Sequence, residues 1–292
     1  MAVWASGLSV PEGPVWLADG SLLVVEMGAE RGCITRIDSQ GENREEIRKT
    51  GRPNGLAIDK ANGIWVAESL VPSLLRITLE GEITASYYGA GDDAFLFPND
   101  LCFGPNDKLY FTDSGIRFED FAPGGKVRPD YMDAPINGRV YEFDLRNETF
   151  AVIDTGLRFP NGLAFGPDGH LYVNETLSGM VYRYVLKDGR MSNQREIFGN
   201  VLKTERAGSM QGPDGMKFDS VGNLYVTVFG QGDITVLNKD GAVAMRIPTE
   251  GKLPTNLAFS LHEKRIYVTE DELGTIEVFE VDAEGLPLFY GA

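Results

Sequence analysis

Pro160-Asn161-Gly162-Leu163-Ala164-Phe165-Gly166-Pro167-Asp168-Gly169-His170-Leu171-Tyr172-Val173-Asn174-Glu175 decides how this chain is read. It holds an opening turn, a short apolar run, a Pro-Asp-Gly turn and a second apolar run that ends in a carboxylate. Apolar runs bounded by turn residues are the pattern of a β-hairpin. A tight turn centred on Asp168 is expected to set Asn161 almost opposite Glu175. The same pattern is written six times, opening at Pro11-Glu12-Gly13, Pro53-Asn54-Gly55, Pro98-Asn99-Asp100, Pro160-Asn161-Gly162, Pro213-Asp214-Gly215 and Pro254-Thr255-Asn256. The prolines stand 41 to 62 residues apart, a spacing that marks a radial β-repeat.

Between copies lie two more strand-like runs, such as Val181-Tyr182-Arg183-Tyr184-Val185-Leu186 and Ile276-Glu277-Val278-Phe279-Glu280-Val281. Four strands per copy is the content of a propeller blade. No stretch carries a sustained helical periodicity. The expectation is an all-β, six-bladed β-propeller with four-stranded blades, a single domain over 1–292. A ring needs closing, because raw edge strands invite pairing with other chains. Ala2 to Leu8 has no hairpin partner of its own and is expected to pair into the last blade, beside the strands of 275–290. Two intervals are long. One, 115–139, carries Arg117, Phe118, Arg128, Tyr131 and Met132 among Gly and Pro, which suits an ordered loop of the kind that serves as a lid. The other is 199–211.

Over 292 residues, 42% hydrophobic content, 35 glycines and 15 prolines suit a turn-rich globule with a sizeable core. The formal charge of −16 argues against nucleic acid and anionic membrane as partners, since both need a basic surface. Met1 to Val10 lacks the basic start and apolar run of a signal peptide, and no stretch reaches the ~20 apolar residues of a membrane span. Cys33 and Cys102 form no Cys-x-x-Cys pair. A cytoplasmic protein is expected.

In a propeller the innermost strand of each blade lines the central channel. The second repeat position therefore converges on the axis, as Glu12, Asn54, Asn99, Asn161, Asp214 and Thr255. At the end of the next strand stand Glu26, Glu68, Asp113, Glu175, Val228 and Glu270. Carboxylates crowded around a dry axis cost folding energy unless a positive charge sits among them. A bound divalent cation is the simplest remedy. Oxygen donors favour Ca²⁺ or Mg²⁺, and less often Mn²⁺, with Zn²⁺ as a remaining alternative. His170 and His262, the only histidines, fall in hairpin turns at the opposite face, and no Gly-x-Ser-x-Gly elbow supplies a serine nucleophile. Chemistry here must run on carboxylates and a metal. Gly89-Ala90-Gly91-Asp92-Asp93-Ala94 fits a dinucleotide-binding spacing but has no strand–helix context. The third copy departs from the others by placing Asp100 where four copies have glycine, which suggests a general base or a carboxylate supporting a metal ligand.

Pro11-Glu12-Gly13-Pro14-Val15-Trp16, Phe97-Pro98-Asn99-Asp100, Phe159-Pro160-Asn161-Gly162 and Gly212-Pro213-Asp214-Gly215-Met216 closely resemble motifs of the senescence marker protein/gluconolactonase/luciferin-regenerating enzyme-like family, and the resemblance spans nearly the whole chain. It implies a six-bladed propeller with a divalent cation held by Glu12, Asn99, Asn161 and Asp214, with Asp100 matching the Asp beside the first ligand Asn. Many members hydrolyse sugar lactones. Phe97 stands where some sugar lactonases carry a basic residue. The implied function is hydrolysis of a small lactone, sugar-derived or not, with the carbonyl polarised by the cation. Asp100 or Asp214 would deprotonate the attacking water, or Asp214 would attack directly, as resemblance to diisopropyl-fluorophosphatase-like propellers allows. Asn54, Glu68, Asp113 and Glu175 are expected to bind substrate hydroxyls, and Arg117, Arg128 and Tyr131 to act from the lid. The alternatives are ester or phosphotriester hydrolysis on the same metal site, a binding propeller with a structural ion, and a metal-free, strictosidine-synthase-like enzyme.

Overall fold

Each of the six hairpins is extended by two further antiparallel strands into a four-stranded sheet, in a computed structural model that describes residues 1–203 and 210–289. The inner strands are Pro11–Trp16, Pro53–Ile58, Pro98–Phe103, Pro160–Phe165, Gly212–Phe218 and Pro254–Phe259. Each packs against the inner strand of the next blade, and the last packs against the first. The result is the six-bladed β-propeller expected from the repeat. Ala2–Ser6 forms the outermost strand of the last blade, with Ala2 opposite Val278 and Ser6 opposite Thr275. The ring is thereby closed by strands from both ends of the chain. Thr255 Oγ1 donates to Pro11 O at 2.7 Å and adds a polar stitch across the same seam.

The burial pattern follows from the sequence of each blade. The two inner strands of the second blade, Pro53–Ile58 and Ile64–Glu68, are buried at every position, because each is covered by a neighbouring blade on both faces. The outer strand of the first blade, Arg44–Lys49, is almost entirely exposed and charged, which blunts an edge that could otherwise recruit another strand. Between blades the apolar residues of facing sheets interdigitate, as Val15, Val25 and Ile34 do with Leu56, Val66 and Leu75.

One local feature recurs in every blade and decides where the functional side chains point. The proline of the repeat pairs with the residue at the end of the next strand, as Pro160 does with Glu175. The register then breaks, resuming at the fourth or fifth repeat residue, as at Leu163. The same break follows Pro11-Glu12, Pro53, Pro98, Pro213 and Pro254. It is thus Pro160, and not Asn161, that lies opposite Glu175. A bulge bends the strand and re-aims the side chains of its extra residues. Here it also brings the third repeat residue against the neighbouring blade. A Cβ on Gly55 would lie 2.7 Å from Asp100 Cα, on Gly162 2.2 Å from Asp214 O, and on Gly215 2.6 Å from Asn256 Cα. Close approach of adjacent strands therefore explains glycine at that place. Asp100 and Asn256, the two third-position residues with long polar side chains, occupy blades that face each other across the ring.

The 115–139 interval is ordered. It contains a short helix, Phe118–Phe121, and 3₁₀ turns at Pro123–Gly125 and Tyr131–Asp133. Ile116, Phe121, Ala122 and Ala134 pack on Phe97, Phe159 and Leu177 of the third and fourth blades. The loop thus lies over the mouth of the channel at the end where the second repeat residues gather. The 199–211 interval falls partly outside the described residues. At the opposite face the chain returns across the fifth blade, with Leu286 N donating to Phe218 O and Ser220 N donating to Glu284 O. Among the described residues no helix is long and apolar enough to cross a membrane.

Candidate metal centre and active site

Beneath the loop lies a cavity of about 710 Å³. All six second-position residues line it: Glu12, Asn54, Asn99, Asn161, Asp214 and Thr255. The convergence expected from the repeat is therefore present; five of these residues lie in the bulge, and Glu12 is paired with Val25 just before it.

The second set behaves differently. Glu68 Oε1 accepts the backbone N–H groups of Arg52 and Leu70, both at 2.8 Å. Asp113 accepts those of Leu96 at 2.7 Å, Phe97 at 3.1 Å and Gly115 at 2.8 Å. Glu175 accepts Arg158 N at 2.6 Å and the Tyr182 hydroxyl at 3.3 Å. Glu26 and Glu270 hold Ser9 N at 2.9 Å and Leu253 N at 2.8 Å in the same way. These five carboxylates anchor the chain just before the repeat in every copy but the fifth, which has Val228 there, and they do not line the cavity. Pairing of Glu68 and Glu175 with the proline, one residue before the bulge, leaves them facing away from the axis. Glu68, Asp113 and Glu175 are thus placed behind the wall, whereas Asn54 is in it.

The lid residues also divide. Arg128 makes two hydrogen bonds to Asp130, at 2.8 and 2.7 Å. Arg117 supplies the carbonyl that accepts Phe121 N at 3.0 Å. Tyr131 packs at the edge of the loop's apolar cluster. None of the three lines the cavity; the loop contributes Phe118, Glu119, Phe121, Ala122 and Val127 instead.

The two amides on the floor are oriented by hydroxyls. Asn99 Nδ2 donates to Ser114 Oγ at 2.9 Å, and Ser114 donates onward to Pro160 O at 3.1 Å. Asn161 Nδ2 donates to Thr176 Oγ1 at 3.4 Å, and Thr176 donates to Pro213 O at 2.8 Å. Each NH₂ is thereby drawn to a hydroxyl, which leaves the amide oxygen for another partner. Asn161 Oδ1 and Glu12 Oε2 are buried with no hydrogen-bond partner. Orphaned buried oxygens of this kind require explanation, and a hard cation satisfies them. Among the described residues no three acidic, histidine or cysteine side chains gather as a metal site. The set here is two carboxylates and two amides on four blades, a donor set that fits Ca²⁺ by its chemistry.

Electrostatics support that fit. Burial pushes the Glu12 carboxyl well above its ordinary range, and the nearby Asp100 and Asp214 push it further, against a pull from the Asn256 amide and Lys217. Burial likewise raises Asp214 well above its ordinary range; Asp100 and Asp271 add to this, while Asn161 and Arg52 oppose it. Asp100 is raised by burial and restrained by Lys217. Carboxyls with raised native pKa values bind more protons folded than unfolded in the window between the two values. Their contribution is complete below the unfolded carboxylate range and is lost as pH rises through the native values. Calorimetry in the presence of a chelator should therefore show a melting temperature that falls as pH rises above the ordinary carboxylate range. A Tm that rises over that window would mean the clustered charges carry no penalty.

Several site residues stand at repeat positions that the sequence reading did not single out: Arg52, like Phe97 and Phe159, directly precedes the repeat proline, and Asp271 follows the strand-end carboxylate of its copy. Arg52 lines the cavity with its guanidinium 3.9 Å from the centre of the Phe118 ring, and donates to Ser69 Oγ at 3.0 Å. Burial lowers its pKa to about 10. Asp271, also in the lining, is raised to about 6 by burial and then by Glu270. Asp100 does not line the cavity. It lies beneath the floor, with Oδ1 accepting Leu101 N at 2.8 Å and Oδ2 unpartnered. A signal for the orienting hydroxyls was available: Ser69, Ser114 and Thr176 each follow the strand-end carboxylate of their copy.

The SMP-30/Gluconolactonase/LRE-like region profile matches residues 10–272, on which every floor residue lies. The chain belongs to this family. Among its relatives, diisopropyl-fluorophosphatase of Loligo vulgaris is 29% identical over 94% of this chain and 90% of its own length. Gluconolactonase of Zymomonas mobilis is 27% identical over 82% of this chain and 69% of its own. Solved structures agree in fold. A gluconolactonase from Xanthomonas campestris superposes with a TM-score of 0.79 at 22% identity, covering 96% of this chain and 89% of its own. The calcium-binding protein regucalcin of Agrobacterium tumefaciens superposes at 0.78 and 17%, covering 99% and 96%.

Proposed function

We propose that this protein is a divalent-metal-dependent lactone hydrolase that works with Ca²⁺. The observation that carries the reading is the floor of the cavity, where Glu12, Asn99, Asn161 and Asp214 present oxygens from four blades, two of them buried and unpartnered. The family and the gluconolactonase relative support hydrolysis of a lactone ester bond. A cation held by these four residues would supply a Lewis acid for the carbonyl oxygen as it gains charge. Asp214 lines the cavity, so its carboxylate meets the reacting atoms and takes the proton of the attacking water. Asp100, beneath the floor, fixes the charge balance behind Glu12 and Asp214 and acts as a positioning residue. Asn54 offers its amide to a substrate oxygen. The loop over the mouth limits water around the bound ester.

The test is hydrolysis of δ-valerolactone and glucono-1,5-lactone in a pH-stat, corrected for the spontaneous rate, before chelation, after it, and after Ca²⁺ is restored. Activity should vanish and return. A Ca²⁺-dependent shift in Tm without turnover of any lactone would leave a structural ion in a binding protein. The relative that acts on diisopropyl fluorophosphate gives one further reading a footing, because the same donors can polarise a phosphoryl oxygen. Faster turnover of diisopropyl fluorophosphate or of phosphotriesters than of lactones would favour it.

A further inference from the structure

The walls of the cavity are chemically unlike its floor. Phe97, Phe118, Phe121, Phe159, Phe229 and Val127 line them. The rings of the third and fourth blades and the lid form one continuous surface. Phe97 meets Phe118 edge-on at 6.0 Å and Phe159 at 5.6 Å, and Phe121 lies 4.5 Å from Phe159. Phe97 leads into Pro98-Asn99, so this wall starts beside a floor amide. Two of the polar groups of the lining are already engaged. Arg52 is stacked on Phe118, bonded to Ser69 and countered by Glu68 and Asp271. Thr255 gives its hydroxyl proton to Pro11 O. A polyhydroxylated ring laid on this wall would turn hydroxyls toward carbon, each at a loss of about tenfold or more in affinity. A volume of about 710 Å³ is in the range of pockets for drug-sized ligands, far more than one six-membered lactone fills.

We propose, resting on the lactonase reading, that the substrate is a lactone carrying a bulky apolar substituent, which lies on the Phe97–Phe118–Phe121–Phe159 wall while its ester group reaches the floor. Selectivity then comes from burial of the substituent, and about three- to fourfold per methylene is expected.

The experiment uses the Ca²⁺-loaded protein and δ-valerolactones bearing no substituent, methyl, propyl or pentyl at the ring carbon next to oxygen. kcat/KM should climb by that factor per carbon over the first few carbons, and the pentyl compound should exceed glucono-1,5-lactone. Phe118→Ala, at a half-buried lid position, should lose more on the pentyl compound than on the parent ring. A flat or falling series with glucono-1,5-lactone turned over fastest overturns the substrate class and leaves the lactonase reading intact. Should no lactone be turned over, the lactonase reading fails. The wall is then judged by calorimetric binding of 2-pentylcyclohexanone, which has no ester to cleave, against cyclohexanone. Tighter binding of the pentyl ketone by about tenfold or more supports the apolar wall; equal binding overturns it.

Discussion

Asp214→Asn should reduce lactone turnover by about 10²–10⁴-fold, the usual worth of a positioned general base, while the folded ring survives. The substitution keeps a side-chain oxygen at the cavity floor and removes only the charge. Because burial and the neighbouring Asp100 and Asp271 raise the Asp214 carboxyl well above its ordinary range, losing that charge should also relieve the protein when no cation is bound. The variant is therefore expected to melt higher than the parent in chelator and to gain less Tm from added Ca²⁺. Activity and two melting curves check all three outcomes. Wild-type turnover with an unchanged Ca²⁺ shift would remove Asp214 from both roles. Single-turnover hydrolysis in ¹⁸O-water asks how the residue acts. Label in the product acid alone fits water activation, and label in the Asp214 carboxylate fits direct attack.

Asp100→Asn should cost on the order of 10–100-fold in Ca²⁺ affinity or activity, the range for groups that support metal ligands from behind. Its position argues for this smaller effect. The side chain is buried beneath the floor, one oxygen occupied by Leu101 N and the other facing the cluster without a partner. Asparagine already stands at the same repeat position in the facing blade, where Asn256 Oδ1 accepts Leu257 N at 2.8 Å. The replacement can thus reproduce the local hydrogen bond and test charge alone. Calcium titration by calorimetry, followed by kcat at saturating Ca²⁺, separates the two contributions. A loss of 10²–10⁴-fold in kcat with Ca²⁺ saturating would transfer the general-base role from Asp214 to Asp100.

Much of this architecture was legible because a propeller is written blade by blade. The strands of a blade are nearest neighbours in sequence, so six Pro-x-Gly-like openings and six hairpin turns specify six sheets without any long-range information. Closure by Ala2–Ser6 could be anticipated from a strand that had no local partner. The floor residues were legible for the same reason, since one repeat position copied around a ring must converge on its axis. Period-two reasoning misplaced the strand-end carboxylates. It took the hairpin as regular, whereas the bulge that directly follows the proline holds Asn99, Asn161 and Asp214, and Glu68 and Glu175, paired with the proline before it, bind backbone amides.

The sequence by itself determined the six-fold plan and the oxygen donors gathered at its centre, because both repeat at short range. Only the tertiary structure decided what surrounds them. Arg52 meets Phe118 from a loop 66 positions later in the chain, and Phe97 meets Phe159 across two blades. Arg52, Phe97 and Phe159 share one repeat position, directly before the proline, but what each of them meets is set by how blades and lid pack. Phe118 comes from an inserted loop that the repeat does not encode.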